Sequence, residues 1–211
     1  MNKVLLAGCL VAAWGHASGQ DVSKTLHGIE DRYNTAKTLR VNFTETLTGR
    51  GGRHVPQTGT LYLRKTRQMR WEYTSPPGNL FLSDGMFTYD YIAKSNSFVQ
   101  QKLKEGDDMR GPLAFLLGKL DFDRDFGQYR TGDADGAITA VPKSDKLEYS
   151  EVTLVPGPDF SIKKLSIKGQ DGSVIQYVFD GEVRNPPLSE SLFKFIKPLG
   201  AVMIDPARGN Q

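Results

Sequence analysis

Few side chains in this chain of 211 residues could make or break bonds, and they do not stand together. His27 sits in a helical pattern and His54 in a glycine-rich stretch, and neither has a nucleophile at a spacing that suggests a Ser-His-Asp site. The single cysteine, Cys9, falls in an apolar leader, so beyond it neither thiol chemistry nor a disulfide framework is expected. There is no H-E-x-x-H, no metal-spaced Cys/His set and no phosphate-binding Gly-rich loop between a strand and a helix. Asp121, Asp123 and Asp125 alternate as in a calcium loop but lack its central glycine and closing glutamate. By elimination the chain reads as a non-enzyme that needs neither metal nor cofactor.

What it does carry is ordered apolar surface. From Gly59 to Tyr91 the residues run G-T-L-Y-L-R-K-T-R-Q-M-R-W-E-Y-T-S-P-P-G-N-L-F-L-S-D-G-M-F-T-Y-D-Y. At the two-residue strand period, Leu61 and Leu63 share a face with Lys65 and oppose Tyr62 and Arg64. Trp71 and Tyr73 oppose Arg70 and Glu72, Leu80 and Leu82 oppose Phe81, and Phe87, Tyr89 and Tyr91 oppose Thr88 and Asp90. Such a sheet needs a cover, which could be a core, a helix or an apolar ligand. If one face is concave, its expected lining is Leu61, Leu63, Trp71, Tyr73, Leu80, Leu82, Tyr89 and Tyr91. In the basic run Arg64, Lys65, Arg67 and Arg70, a solvated hairpin edge is the plain reading.

The elements that must hold this surface follow from the rest of the chain. Asp21 to Leu39 has apolar residues at helical spacing, with Asp21 or Ser23 as candidate caps. Val41 to Leu47 reads as a strand, and Thr48 to Thr58 as a loop or hairpin tip. Pro76-Pro77-Gly78 and Ser83-Asp84-Gly85 are turns, the Asp-Gly pair being the stronger hairpin signal. After a strand at Ser97 to Leu103 comes Arg110 to Leu120, with Pro112 near its start and Gly118 near its end, which predicts a short helix apolar nearly all round. Strand patterns then resume at Ala137 to Val141, Leu147 to Val155, Ile162 to Lys168 and Val174 to Phe179. Turns such as Gln170-Asp171-Gly172 argue for an antiparallel meander. The expected whole is a mainly β (α+β) chain whose curled antiparallel sheet is an open barrel with a helical lid. Periodicity alone fits an ordinary packed core better than a hollow one.

Residues 1–19 combine Lys3, an apolar run from Val4 to Trp14 and the small-x-small ending Ala17-Ser18-Gly19, the pattern of a secretory signal peptide cleaved before Gln20. Leu6-Ala7-Gly8-Cys9 also spells a lipobox, which would place an acylated cysteine at the mature N-terminus, although only two apolar residues precede it. Residues 20–211 are expected to form one domain, exported and soluble, since no second apolar run approaches the roughly 18 residues of a membrane span. The net charge is +3, with both signs interleaved, so nucleic acid is a poor partner.

The strand near V-N-F-T-E-T, the sequence G-T-L-Y-L-R-K followed by M-R-W-E-Y, P-P, L-S-D-G and F-T-Y-D-Y, and a C-terminal F-K-F195 with Pro198, Gly200 and Val202 to Asp205 together resemble the periplasmic outer-membrane lipoprotein carrier family, LolA. The resemblance runs from about Asp21 to Asp205 and rests on the order of motifs, each weak alone. It implies an unclosed, strongly curved antiparallel β-barrel under a helical lid, here Leu113, Phe115, Leu116 and Leu117, enclosing an apolar cavity for acyl chains. It also implies acylated lipoproteins as cargo, an inner-membrane ATP-driven lipoprotein-release complex as donor, an outer-membrane lipoprotein receptor as acceptor, and a monomeric carrier. Where the family commonly places an Arg-Pro pair to latch the lid, this chain has Lys65 and Thr66. Lys65 is therefore the latch candidate, expected to contact the helix at Leu113 to Leu117. The alternative on the same fold is a membrane-anchored lipoprotein receptor or a periplasmic lipid sensor. An acylated Cys9 would mark the receptor, and a free Gln20 the carrier.

Overall fold

A computed structural model describes residues 18–49, 51–53, 55–65, 67–103, 120–132 and 135–205. The expected leader therefore lies outside the described residues except for Ser18 and Gly19, which open helix α1 (Ser18–Thr35). Leu26, Ile29 and Tyr33 form its buried stripe at three- and four-residue spacing. The helix starts and stops earlier than its periodicity predicts. Asp21 and Ser23 are thus inside it and do not cap it. Leu39 belongs to strand β1 (Thr38–Gly49), where Leu39, Val41 and Phe43 alternate inward. Ala36 and Leu39 continue the helical spacing by coincidence, and pairing of Leu39 with Leu63 decides the matter.

The predicted tip at Thr48 to Thr58 contains a short strand, β2 (Gly52–Arg53), before β3 (Gln57–Arg64). Strands β4 (Gln68–Ser75), β5 (Pro77–Asp84), β6 (Phe87–Ile92) and β7 (Ser97–Lys102) follow as antiparallel neighbours. At the β5 to β6 turn Gly85 has φ +97°, and the Asp84 carboxylate accepts from the Met86 and Phe87 amides, both at 2.7 Å, as the Asp-Gly signal requires. A short helix α2 (Phe122–Asp125) and strand β8 (Phe126–Thr131), neither anticipated from the sequence, precede β9 (Ile138–Pro142). Then come β10 (Tyr149–Pro156), β11 (Ile162–Gly169), β12 (Val174–Arg184), a 3₁₀ turn at Glu190–Phe193 and β13 (Val202–Ile204).

Among the described residues these strands make one 13-stranded sheet in the order β13, β7, β6, β5, β4, β3, β1, β12, β11, β10, β9, β8, with β2 on β1. All pairs are antiparallel except β13 with β7. The sheet ends at β13 and β8 and does not close, yet Phe81 of β5 and Ile138 of β9 belong to one buried cluster. Only a strongly curled sheet brings such distant strands together. Helix α1 lies inside the curl, so the concave face carries the main core. No helix among the described residues is long and apolar enough to cross a membrane.

Candidate functional site

Cross-strand register determines what the concave face presents. Val41 pairs with Leu61, Leu61 with Trp71 and Trp71 with Phe81, so one row of apolar side chains crosses four strands. The next row places Phe43 opposite Gly59 and Gly59 opposite Tyr73. Phe43 meets the edges of Trp71 and Tyr73 at centroid distances of 4.7 and 5.3 Å, and Trp71 lies 5.4 Å from Tyr177 of β12. Gly59 is required for this packing: a Cβ there would sit 2.2 Å from the Glu72 carbonyl oxygen and 2.8 Å from the Phe43 ring. The Trp71 indole N–H points to the Met69 sulfur at 2.8 Å, which leaves the wall without an exposed polar atom at its centre.

The eight residues expected to line one face do not share it. Leu61, Leu63, Trp71 and Tyr73 are buried on the concave side. Leu80 and Leu82 pair with Glu72 and Arg70, and they continue across to Tyr91 and Tyr89. These four therefore lie on the convex side, and Phe81 takes the concave place. The cause is register: β5 is apolar at three successive positions, so its own alternation is silent, and only the pairing of Phe81 with Trp71 assigns its faces.

The convex side of β4 to β7 has a second core. Leu82, Phe98 and Phe193 are buried there by the C-terminal segment, which crosses the sheet as a strap. Phe195 stacks on Tyr89 at 4.5 Å and lies 5.1 Å from Phe98. The arginines read as a solvated edge hold this strap in place. Arg64 donates to the Leu188 carbonyl and lies over the Phe193 ring, while Arg70 donates to the Leu192 carbonyl at 3.4 Å.

Helix α1 is fastened at two points. Arg32 donates to one Glu182 oxygen through Nε at 2.9 Å and Nη2 at 2.6 Å, and the Tyr33 hydroxyl donates to the other oxygen at 2.7 Å. A bulge at Gly181, φ +62°, turns Glu182 inward to reach them. Burial disfavours the Arg32 charge, but the hydrogen bond and charge of Glu182 outweigh it and raise its pKa. Burial, then Glu182, pushes the Tyr33 phenol up.

The second fastening involves the latch candidate. The Lys65 ammonium donates to the Asn34 carbonyl in the last helical turn. The Asn34 amide in turn brackets Leu120, donating to its carbonyl at 2.7 Å and accepting from its N–H at 2.9 Å. The expected lid residues Leu113, Phe115, Leu116 and Leu117, along with Thr66 and His54, lie outside the described residues. Among the described residues, Lys65 thus reaches α1 and, through Asn34, the backbone at Leu120.

A groove of about 550 Å³ separates the N-terminal half of α1 from β8. His27 lines it, with its ring held to the Ser23 carbonyl at 2.7 Å, a bond that raises its pKa. Asp121 caps α2 by accepting from the Arg124 N–H, and Asp125 pairs with Arg124 at 2.7 Å, so both aspartates serve the local fold. Among the described residues no three His, Cys, Asp or Glu side chains stand close enough to hold a metal ion.

Similarity to known proteins points the same way as the apolar face. A family profile described as "Outer membrane lipoprotein carrier protein LolA" matches residues 34–196. Proteins named outer-membrane lipoprotein carrier protein from Sodalis glossinidius and Edwardsiella ictaluri are 26% and 27% identical to the chain, each over 97% of it and 98% of the relative. A crystal structure of an uncharacterized conserved protein from Thermus thermophilus aligns with a TM-score of 0.50 at 15% identity, covering 88% of this chain and 99% of that one, a likeness of fold alone.

Proposed function

Because the chain belongs to the outer membrane lipoprotein carrier protein (LolA) family, we propose that its concave face shelters the acyl chains of lipoproteins and that it carries them through the periplasm. The observation that supports this reading most directly is the apolar wall of Val41, Leu61, Trp71 and Phe81, continued by Phe43 and Tyr73, inside a sheet that curls without closing. Acyl chains gain about 0.8 kcal/mol per buried methylene, so about ten methylenes contribute near 8 kcal/mol. That is ample to extract a lipoprotein from water without a catalytic step. In this reading the chain is exported by cleavage before Gln20, works as a monomer, receives cargo from an inner-membrane ATP-driven release complex and delivers it to an outer-membrane receptor.

The test is detergent-free purification from the periplasm of the native host, followed by mass spectrometry of the N-terminus and of bound material. An N-terminus at Gln20 with co-purifying acylated lipoproteins is the expected result. Acylated Cys9 would replace the carrier with an anchored receptor, and recovery of free fatty acid or nothing would remove lipoproteins from the reading. In the same preparation Lys65→Leu is expected to alter cargo release, because it removes the ammonium that holds the end of α1. Unchanged loading and release would exclude Lys65 as a latch.

A further inference from the structure

Strand β8 ends the sheet, and among the described residues only β9 pairs with it. Beyond a bulge at Phe126 and Gln128 that pairing runs regularly to Thr131, and Gln128, Arg130 and Thr131 are exposed. Peptide groups on the outer side of this stretch are therefore placed to accept a further strand. Edges are usually blunted by lysine or proline, and Gln128 to Thr131 contains neither. Its charged side chain, Arg130, is held to Glu151 at 2.6 Å.

The groove beside that edge has an apolar floor and an acidic rim. Val22 and Leu26 of α1 line one wall, and Phe122 and Tyr129 the other, where the Tyr129 hydroxyl donates to the Phe122 carbonyl at 2.7 Å. Glu30 and Asp123 stand on the rim, and Glu30 accepts the Phe122 N–H through one oxygen at 2.6 Å. Burial, then the charges of Asp123 and Glu30, push the Tyr129 phenol up to about 12. The same two carboxylates add to the Ser23 carbonyl in raising His27. The cations of this region are engaged, Arg124 by Asp125 at 2.7 Å and Lys143 by the Asp123 carbonyl at 2.6 Å.

We propose that the edge of β8 and the groove beside it form one docking site, for an extended protein segment that carries apolar and basic residues on the same face. The backbone of that segment extends the sheet beyond β8, and its alternate side chains turn toward α1. Apolar ones cover Val22, Leu26 and Phe122, and a cation meets Glu30 or Asp123. The edge accepts any backbone, so the acidic rim supplies the selection.

The probes are two synthetic peptides capped at both ends, Lys-Thr-Leu-Thr-Leu-Thr-Lys and the same sequence with glutamate in place of each lysine. Both put the leucines and the charged ends on one face, so only the sign of the charge differs. Fluorescence anisotropy with the mature protein is expected to show about tenfold tighter binding of the lysine peptide, at the low end for a charge-assisted hydrogen bond. Amide hydrogen exchange is expected to slow at Gln128 to Thr131 when that peptide binds. Glu30→Gln combined with Asp123→Asn is expected to abolish the preference, the glutamine keeping an acceptor for the Phe122 N–H. Asp123→Asn alone, at an exposed position, is expected to narrow the ratio and gives the same readout should the double variant fold poorly. Equal affinity for the two peptides, or a tenfold ratio that survives the double variant, overturns the site. Binding that leaves exchange at Gln128 to Thr131 unchanged overturns strand addition at β8.

Discussion

Glu182→Ala is expected to lower the free energy of unfolding by about 3–5 kcal/mol, the loss usual when one member of a buried ion pair is removed. The side chains of Arg32 and Glu182 are only 15% and 8% exposed, so water cannot readily take the place of the missing carboxylate. The substitution leaves the largely buried Arg32 guanidinium with only Asp159, its exposed carboxylate at 3.1 Å and its carbonyl at 2.9 Å, and also removes the acceptor of the Tyr33 hydroxyl, whose oxygen itself accepts from the Ile162 N–H at 2.8 Å. For a chain of this size the thermal midpoint should fall by roughly 10 °C, read by circular dichroism. Glu182→Gln, which keeps one acceptor oxygen but loses the charge and the second acceptor, should cost less. A fall below about 1 kcal/mol for alanine would mean that the pair behaves as an exposed one and does not anchor α1. Tyr33 adds a pH dependence. Its raised pKa means that the folded state holds the phenol proton more tightly than the unfolded chain does. That contribution is complete below about pH 10 and is lost as the pH rises further.

Trp71→Ala is expected to cost about 3–5 kcal/mol in urea unfolding, the range for deleting a large aromatic from a close-packed interior. Trp71 is fully buried, and Phe43, Tyr177, Leu61 and Phe81 all stand against it. The result separates the two readings that strand periodicity left open. A loss in this range means that the wall at Trp71 is filled by neighbouring side chains in the cargo-free protein, and that acyl chains must enter elsewhere along the face or displace them. A loss below about 2 kcal/mol would mean that one side of the indole already faces a void, where few contacts exist to be lost.

The strands themselves were largely legible in the sequence, because period-two alternation survives wherever one face is apolar and the other polar. Leu61 and Leu63 against Tyr62 and Arg64, and Trp71 and Tyr73 against Arg70 and Glu72, are of this kind. Which faces of different strands coincide was not legible. Leu80, Phe81 and Leu82 are all apolar, and only hydrogen-bonded pairing of Trp71 with Phe81 shows that the leucines face the other way. The end of α1 was misplaced because Leu39 satisfies helical and strand spacing at once. Strand β8 was missed because Phe126 and Tyr129 give too few inward residues to signal a strand. The Arg32–Glu182 pair joins residues 150 positions apart, and its geometry depends on a bulge at Gly181 that no local pattern announces.

The convex core has a consequence for a protein that must be emptied as well as filled. A container whose contents contribute to its stability unfolds or collapses when it delivers them. Here Leu82, Phe98, Phe193 and the stacked Tyr89 and Phe195 brace β4 to β7 from outside, as a hoop braces staves. The strands that wall the interior are thus held in shape by contacts that no cargo touches. Such a vessel can complete a delivery and return for the next load without refolding.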